Sequence, residues 1–259
     1  MGDSTSVRAG IKARLMNTKV EPYLRWLVKR SRGIPIPFDL VKNEIYDRQA
    51  SEVMSLVLSA NSNCVDIGCH QGEFLRSFLR YAPKGRHFAF EPIPHLAQQL
   101  QVRFPSIHVF ELALSDVSGE TPFYIVPAAP ALSGLHRREF LRGNAPRQEI
   151  LVRTEKLDSI IPADVRIDFI KIDVEGAEGL VVAGALDTIV RNRPFIVLEH
   201  GMRSSSLFGI TSADLYDKLV GQCGLQISLL ASWLSGMQPL TKREFVRQRE
   251  WYFLAHPVR

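Results

Sequence analysis

Long apolar runs, a signal-peptide core and clustered cysteines are all missing from this sequence of 259 residues. No stretch approaches the 18 or more apolar residues of a membrane-spanning helix, so we expect no transmembrane segment. The first residues contain no apolar core of the kind that directs secretion. The three cysteines are an odd number and lack the spacing of metal ligands. A reducing cytoplasm is therefore the expected location.

The sequence also lacks the G-x-G-x-x-G turn of dinucleotide-binding folds. Its glycine turn, in residues 65–74, reads V-D-I-G-C-H-Q-G-E-F, with Gly68 and Gly72 separated by three residues. In dinucleotide folds the middle glycine lets the backbone approach a pyrophosphate. Asp66 would repel a pyrophosphate but would suit a cationic ammonium group. A nicotinamide oxidoreductase is thus disfavoured, and the ligand is predicted to be positively charged at this end.

This glycine turn joins a predicted strand to a predicted helix. We expect glycine at positions 68 and 72 because the backbone there must take a positive φ or come within contact distance of a ligand, whose space a side chain would occupy. The next predicted strand ends at Glu91, about 20 residues further on, where an acidic residue accepts hydrogen bonds from a ribose diol. A tight connection without a ligand is the alternative for the turn alone. With Asp66 and Glu91 included, the pattern resembles the S-adenosylmethionine (SAM) site of class I methyltransferases.

Strands alternate with helices over residues 44–112 and again over 167–200. This alternation predicts parallel strands with right-handed crossovers. Further strands near 225–230 and 249–256 would complete a mostly parallel seven-stranded sheet. The predicted fold is therefore α/β with helices on both faces of the sheet, and the resemblance of the glycine turn implies a class I methyltransferase Rossmann-like fold. Ligands of such sheets bind at the carboxyl ends of the strands.

Two segments stand apart from this pattern. Residues 115–155 contain two extended runs that can pair, and they are predicted to form a small β insertion that serves as an acceptor lid. Residues 1–43 are predicted to be a basic helical extension before a methyltransferase domain of residues 44–259. Of the net charge of +5, residues 1–32 carry +6, which leaves −1 for the remainder. This segment could contact an anionic membrane or nucleic acid, or cover the core with its basic face in water.

Four blocks of the sequence resemble the FkbM family of SAM-dependent methyltransferases. The blocks are V-D-I-G with the glycine that follows, F-E-P, A-L-S-D and, most specifically, I-K-I-D-V-E-G-A-E at residues 170–178. The resemblance covers about residues 44–200. Members of the family typically methylate hydroxyl oxygens, often on sugars or on natural-product scaffolds. It implies SAM as cofactor and a hydroxyl of a sugar, glycolipid or natural product as acceptor.

The resemblance also implies a set of cofactor-binding residues. They are Asp66, Gly68, His70, Gly72, Glu91, Glu111, Ala113 and Asp173. Two of them depart from the family, because position 70 is histidine where asparagine is more frequent and position 111 is glutamate where asparagine is expected.

An alcohol oxygen is weakly nucleophilic until it loses its proton, so a general base is expected near the acceptor. Asp173, Glu175 and His200 follow predicted central strands and are the candidate catalytic residues, with His136 as a weaker alternative. Each also has a structural alternative, such as holding a loop or satisfying helix amides. A Mg²⁺ site at Asp173 and Glu175 is conceivable, but two carboxylates are few ligands, and no metal is predicted.

Two rival functions remain open. Methylation of amino groups on bases commonly uses an Asn/Asp-Pro-Pro-aromatic turn, and this chain has D-V-E-G at residues 173–176. A nucleic-acid acceptor is therefore disfavoured. The other rival is a SAM-binding protein without catalysis. The sequence does not indicate an oligomeric state.

Overall fold

A computed structural model describes residues 38–127, 133–135, 148–201 and 208–258. The basic segment 1–32 and His136 lie outside these ranges, and the predictions made for them stay predictions. The chain divides into two compact units, Met1–Ser51 and Glu52–Arg259. In the first unit only residues 38–51 are described, and they are helical. The second unit contains the sheets and the cleft described below.

The bounds of the elements follow chain order. The strands are β1 (Cys64–Ile67), β2 (Phe88–Phe90), β3 (His108–Phe110), β4 (Ala113–Leu114), β5 (Gly119–Ile125), β6 (Gln148–Glu155), β7 (Phe169–Ile172), β8 (Phe195–Glu199), β9 (Gln226–Leu229) and β10 (Tyr252–His256). The α-helices are α1 (Phe38–Val57), α2 (Glu73–Tyr81), α3 (Pro94–Arg103), α4 (Leu157–Ile160), α5 (Glu178–Ala183), α6 (Leu186–Asn192), α7 (Ser212–Tyr216), α8 (Leu230–Leu234) and α9 (Lys242–Val246). A π-helical turn, Asp217–Gln222, continues α7.

Seven strands form the main sheet, in the order β3-β2-β1-β7-β8-β10-β9. Strand β10 runs antiparallel to β8 and β9, while the other neighbouring pairs are parallel. The predicted α/β fold with a mostly parallel seven-stranded sheet is confirmed. Strands β1, β2 and β7 are buried along their whole length, as their mostly apolar sequences predict for strands covered on both faces.

The insertion forms a second sheet in the order β4-β6-β5. Strands β5 and β6 pair antiparallel over their full length, from Gly119 opposite Thr154 to Ile125 opposite Gln148. The inner face of this sheet, including Phe123 and Val152, packs against Ile93 at the start of α3. The predicted small β insertion is therefore present and is anchored beside the end of β2.

Backbone hydrogen bonds hold the carboxyl ends of three central strands side by side. The amide of Gly68 donates to the carbonyl of Phe90, and the amide of Asp173 donates to the carbonyl of Ile67. The residues that follow β1, β2 and β7 consequently lie at one edge of the sheet. Within the described ranges, no helix is long and apolar enough to cross a membrane.

Candidate active site

A cleft opens at this edge of the sheet, with an empty volume of about 570 Å³ that includes space open to solvent. Six residues predicted from the sequence line it: Gly68, His70, Glu91, Ala113, Asp173 and Glu175. Four other predicted residues are not in its walls: Asp66, Gly72, Glu111 and His200. The structure thus brings most, but not all, of the predicted site together.

The two glycines of the turn are required by protein neighbours as well as by backbone shape. Both have a φ of +76°, which disfavours residues with a side chain. A Cβ at Gly68 would lie 1.9 Å from the carbonyl oxygen of Asp173, and a Cβ at Gly72 would lie 2.6 Å from the ring of Phe104. The positive φ expected for these glycines is confirmed, and the residue after β7 and the residues at the end of α3 also occupy the space of a side chain.

Asp66 has a cationic partner, but the partner belongs to the protein. Its carboxylate is 1% exposed and lies 3.5 Å from the ammonium of Lys171, its neighbour in the register of β1 and β7. Burial raises the pKa of Asp66 to about 6, in spite of the opposing effect of Lys171. The predicted ammonium of a ligand beside Asp66 stays a prediction, because the cation at this carboxylate in the structure is Lys171 and Asp66 does not line the cleft.

Lys171 is itself almost entirely buried. It donates a 2.8 Å hydrogen bond to the carbonyl of Gly68 and lies 3.4 Å from Oδ2 of Asp173. Burial by itself lowers the pKa of Lys171, but the carboxylates of Asp173 and Asp66 outweigh that effect and hold the pKa above its usual value. The ammonium therefore stays charged at neutral pH.

Glu91 lies in the wall of the cleft with each carboxylate oxygen engaged once. Oε2 accepts a hydrogen bond from the amide of His70 (2.8 Å), and Oε1 accepts one from the amide of Ile93 (3.0 Å). Burial raises the pKa of Glu91 to about 7, although these amides favour the charged form. Each oxygen retains a lone pair, so the carboxylate can still accept hydrogen bonds from a diol.

His70 lines the same region of the cleft. Its backbone has a φ of +45°, which is uncommon for histidine, and the Glu91 carboxylate holds its amide. Within the described part of the chain, Nε2 of His70 is buried without a hydrogen-bond partner. A buried ring nitrogen without a partner is costly, and a polar group of a ligand would satisfy it.

Apolar side chains form the rest of this end of the cleft. Ile93, Leu112 and Phe123 are buried, and Leu135 of the insertion lies beside them. An apolar wall next to a carboxylate and an open ring nitrogen fits an adenosine-type cofactor, which has a flat base and a ribose diol. Glu111, by contrast, is exposed and lies outside the cleft.

Asp173 and Glu175 form the acidic end of the cleft. Asp173 follows β7 directly, and its side chain is 25% exposed. Besides Lys171, its Oδ2 has the hydroxyl of Tyr252 as a donor at 3.5 Å. Glu175 has a φ of +60°, so the turn after β7 is tightly bent. Gly134 of the insertion faces Glu175, since a Cβ there would lie 3.6 Å from Cβ of Glu175.

Two further carboxylates lie behind this acidic end. Glu178 is 1% exposed, and its Oε1 accepts a 2.7 Å hydrogen bond from the amide of Gly176. Burial and then the charges of Asp173, Glu175 and Glu178 raise the pKa of Glu199 well above its usual value. Four acidic side chains therefore lie near one another at this end, and burial favours the neutral form of Glu199. Even so, no group of three or more histidine, cysteine or acidic side chains is arranged to hold a metal ion in the described ranges.

His200 does not reach the cleft. It is 4% exposed, its ring stacks on Phe245 at 5.7 Å between centroids, and its Nε2 is 2.8 Å from Oγ of Ser212. Its Nδ1 lies 3.9 Å from Oε2 of Glu178. The expectation that His200 faces the reacting atoms is corrected, because α7 and α9 enclose the ring.

The structure adds Lys171 and Tyr252 to the residues predicted for the site. The sequence does contain a signal for Lys171. It lies in an otherwise apolar strand, two residues before an acidic residue, and a buried lysine must be paired with an opposite charge. Tyr252 has no such signal, because it comes from the antiparallel strand β10, 79 residues beyond Asp173.

The strand order, with one antiparallel strand beside the edge strand, and the cleft at the carboxyl ends of β1, β2 and β7 are those of a class I SAM-dependent methyltransferase. The chain matches the Methyltransferase FkbM domain over residues 66–226, which is more than half of its length. It belongs to the FkbM methyltransferase family, and SAM is its cofactor.

Two named relatives align with the chain. It is 32% identical over 167 residues to 2-O-methyltransferase NoeI of Sinorhizobium fredii, covering 58% of this chain and 67% of that protein. It is 27% identical over 229 residues to AMB antimetabolite synthetase AmbE of Pseudomonas aeruginosa, covering 74% of this chain but 10% of that protein. Among solved structures, an FkbM methyltransferase from Methylobacillus flagellatus is 15% identical with a TM-score of 0.47, covering 92% of this chain and 71% of that one.

Proposed function

We propose that this protein transfers a methyl group from SAM to a hydroxyl oxygen of a sugar, either free or as part of a glycolipid or natural product. The observation that carries the proposal is the partly exposed carboxylate of Asp173, in the same cleft as Glu91 and His70. A base at the acceptor end is what an alcohol acceptor requires. The 32% identity to a protein named as a 2-O-methyltransferase supports the same reading.

The residues of the cleft have separate tasks in this proposal. Glu91 accepts hydrogen bonds from the ribose diol, and His70 offers Nε2 to a polar group of the cofactor. When bound, SAM supplies a methyl group on a positively charged sulfur. Asp173 orients the acceptor hydroxyl and accepts its proton, while Glu175 holds a neighbouring hydroxyl. Most of the rate enhancement is expected from positioning, which supplies roughly 7 to 11 kcal/mol in well-oriented systems.

The charge of the acceptor end favours a neutral acceptor. The carboxylates of Asp173, Glu175 and Glu178 lie close enough to Glu199 to raise its pKa further after burial, and Lys171 opposes them. This field would repel the phosphates of a nucleic acid, whereas a neutral sugar carries hydroxyl donors for the carboxylates. Nucleic-acid or membrane contact through residues 1–32, and a cytoplasmic location, are separate predictions that the cleft does not address.

The test is transfer from methyl-labelled SAM to a panel of monosaccharide methyl glycosides, with RNA and DNA as parallel acceptors. We expect label in a glycoside, with an O-methyl group located by mass spectrometry and NMR. Asp173→Asn serves as the matched control, because it keeps the shape of the side chain while removing the base. Transfer to nucleic acid alone, or to no acceptor at all while SAM binds normally, would overturn the proposal.

A further inference from the structure

Lys171 contacts both sides of the cleft from underneath. Its ammonium donates a 2.8 Å hydrogen bond to the carbonyl of Gly68, in the cofactor turn, and lies 3.4 Å from Oδ2 of Asp173, at the acceptor end. The ring of Phe74 covers it at 5.6 Å. With 7% of the side chain exposed, these contacts are barely screened by water.

Asp66 supplies the counter-charge that keeps this arrangement stable. It lies 3.5 Å from the ammonium and is 1% exposed, and neither of its oxygens has a hydrogen-bond partner in the described ranges. A buried cation requires a buried anion. Asp66 and Asp173 place two carboxylates beside one ammonium, so one negative charge is left over, and Asp173 is the partly exposed carboxylate of the two that can act on a ligand.

The geometry at Asp173 distinguishes its two oxygens. Lys171 and the hydroxyl of Tyr252 both approach Oδ2, at 3.4 and 3.5 Å. In the part of the chain that the structure describes, no hydrogen bond is made to Oδ1. Two contacts on one oxygen limit rotation of the carboxylate, which leaves Oδ1 for a group in the cleft.

On this basis, and resting on the proposed function, we propose that Lys171 is a positioning residue. It holds Asp173 so that Oδ1 meets the acceptor hydroxyl, and it ties that carboxylate to the cofactor turn through the carbonyl of Gly68. Tyr252 assists at the same oxygen. Lys171 thus acts through Asp173 and does not itself touch the acceptor.

The test removes the lysine without leaving a buried charge behind. Lys171→Met alone would leave Asp66 as a buried carboxylate without a cation and would destabilise the fold. The substitution is therefore combined with Asp66→Asn, and the Asp66→Asn single variant is the reference. Lys84→Met in the same background is the matched control, because Lys84 is exposed and does not line the cleft. Turnover is measured with the methyl glycoside that the parent chain uses, and SAM affinity is measured by calorimetry.

We compare the double variant Lys171→Met/Asp66→Asn with Asp66→Asn alone. The added lysine substitution should lower kcat by about tenfold or more, which is a fraction of the effect of removing a positioned base. It should change the Kd of SAM by less than about threefold. Lys84→Met should change neither. In an Asp173→Asn background the same lysine substitution should cost less than about threefold in kcat, because residues that act together are not additive. Equal losses with and without Asp173, or no loss at all, would overturn the inference.

A second readout needs no acceptor. In protein labelled with ¹⁵N-lysine, the ammonium of Lys171 should give a slowly exchanging signal, assigned by its absence in Lys171→Met/Asp66→Asn. Asp173→Asn should shift this signal, and an unchanged signal would contradict the contact. If Asp173→Asn shifts the signal as expected but the parent chain methylates no glycoside, the proposed function is refuted. The Lys171–Asp173 contact is then still supported.

Discussion

The carboxyl ends of β7 and β8 lie side by side in the sheet, yet their surroundings are opposite. After β7, Asp173 is 25% exposed and forms part of the cleft wall. After β8, His200 is 4% exposed and is enclosed by Ser212 and Phe245. Both ends carry ionisable groups, so residue type alone does not separate them.

The difference comes from what covers each strand end. The amide of His200 donates to the carbonyl of Trp251, immediately before β10, and this antiparallel strand brings chain over the end of β8. Helices α7 and α9 then close over the imidazole through Ser212 and Phe245. Over Asp173 the described residues leave a quarter of the side chain exposed. The two strand ends show that a residue at the carboxyl end of a strand can reach a ligand only where the connecting segments do not cover it.

The largest expected effect is on Asp173, the open end of this comparison. Asp173→Asn should lower kcat by roughly 10²-fold, the usual worth of a positioned base, with little change in SAM affinity. Steady-state kinetics on a glycoside acceptor and calorimetry with SAM measure the two quantities. Near-parental turnover would mean that the open strand end is not catalytic.

His200, the closed end, should respond in the opposite way. His200→Asn removes the contact with Ser212 and leaves Glu178 without its facing imidazole, so we expect the free energy of unfolding to fall by about 1 to 3 kcal/mol. Turnover at a temperature where the variant is folded should stay within about threefold of the parent. A large loss of kcat with unchanged stability would show that His200 is catalytic and that the contrast with Asp173 is wrong. Chemical denaturation gives the stability.

Glu91 should give the smallest effect, and one that depends on pH. Burial raises its pKa to about 7. The ionised form accepts hydrogen bonds from the ribose diol, so SAM affinity should fall as pH drops through 7, by about tenfold between pH 8 and pH 6 if only that form binds. Glu91→Gln should bind SAM more weakly at pH 8 and lose this dependence. The same pH slope in the variant would assign it to another group.

Most of the fold was predictable because its signals are local. Apolar runs such as that of β7, and the alternation of strands with helices, indicate a parallel sheet before any contact is known. The carboxyl ends of adjacent parallel strands must then meet, which is why Glu91 and Asp173 were expected at one cleft. The placement of β10 was less evident, since an antiparallel strand that inserts between β8 and the edge strand β9 leaves no local pattern in the sequence.

The sequence by itself determined the sheet, the cofactor turn and the family, because strand periodicity, glycine spacing and the K-I-D-V-E-G-A-E block are properties of short stretches of chain. Tertiary structure alone decided which ionisable groups face the cleft. Asp66 turns to Lys171, His200 turns to Ser212, and Tyr252 arrives at Asp173 from a strand 79 residues away. Partner and exposure depend on register and on covering segments far apart in sequence, and these fix whether a carboxylate or imidazole is structural or available for chemistry.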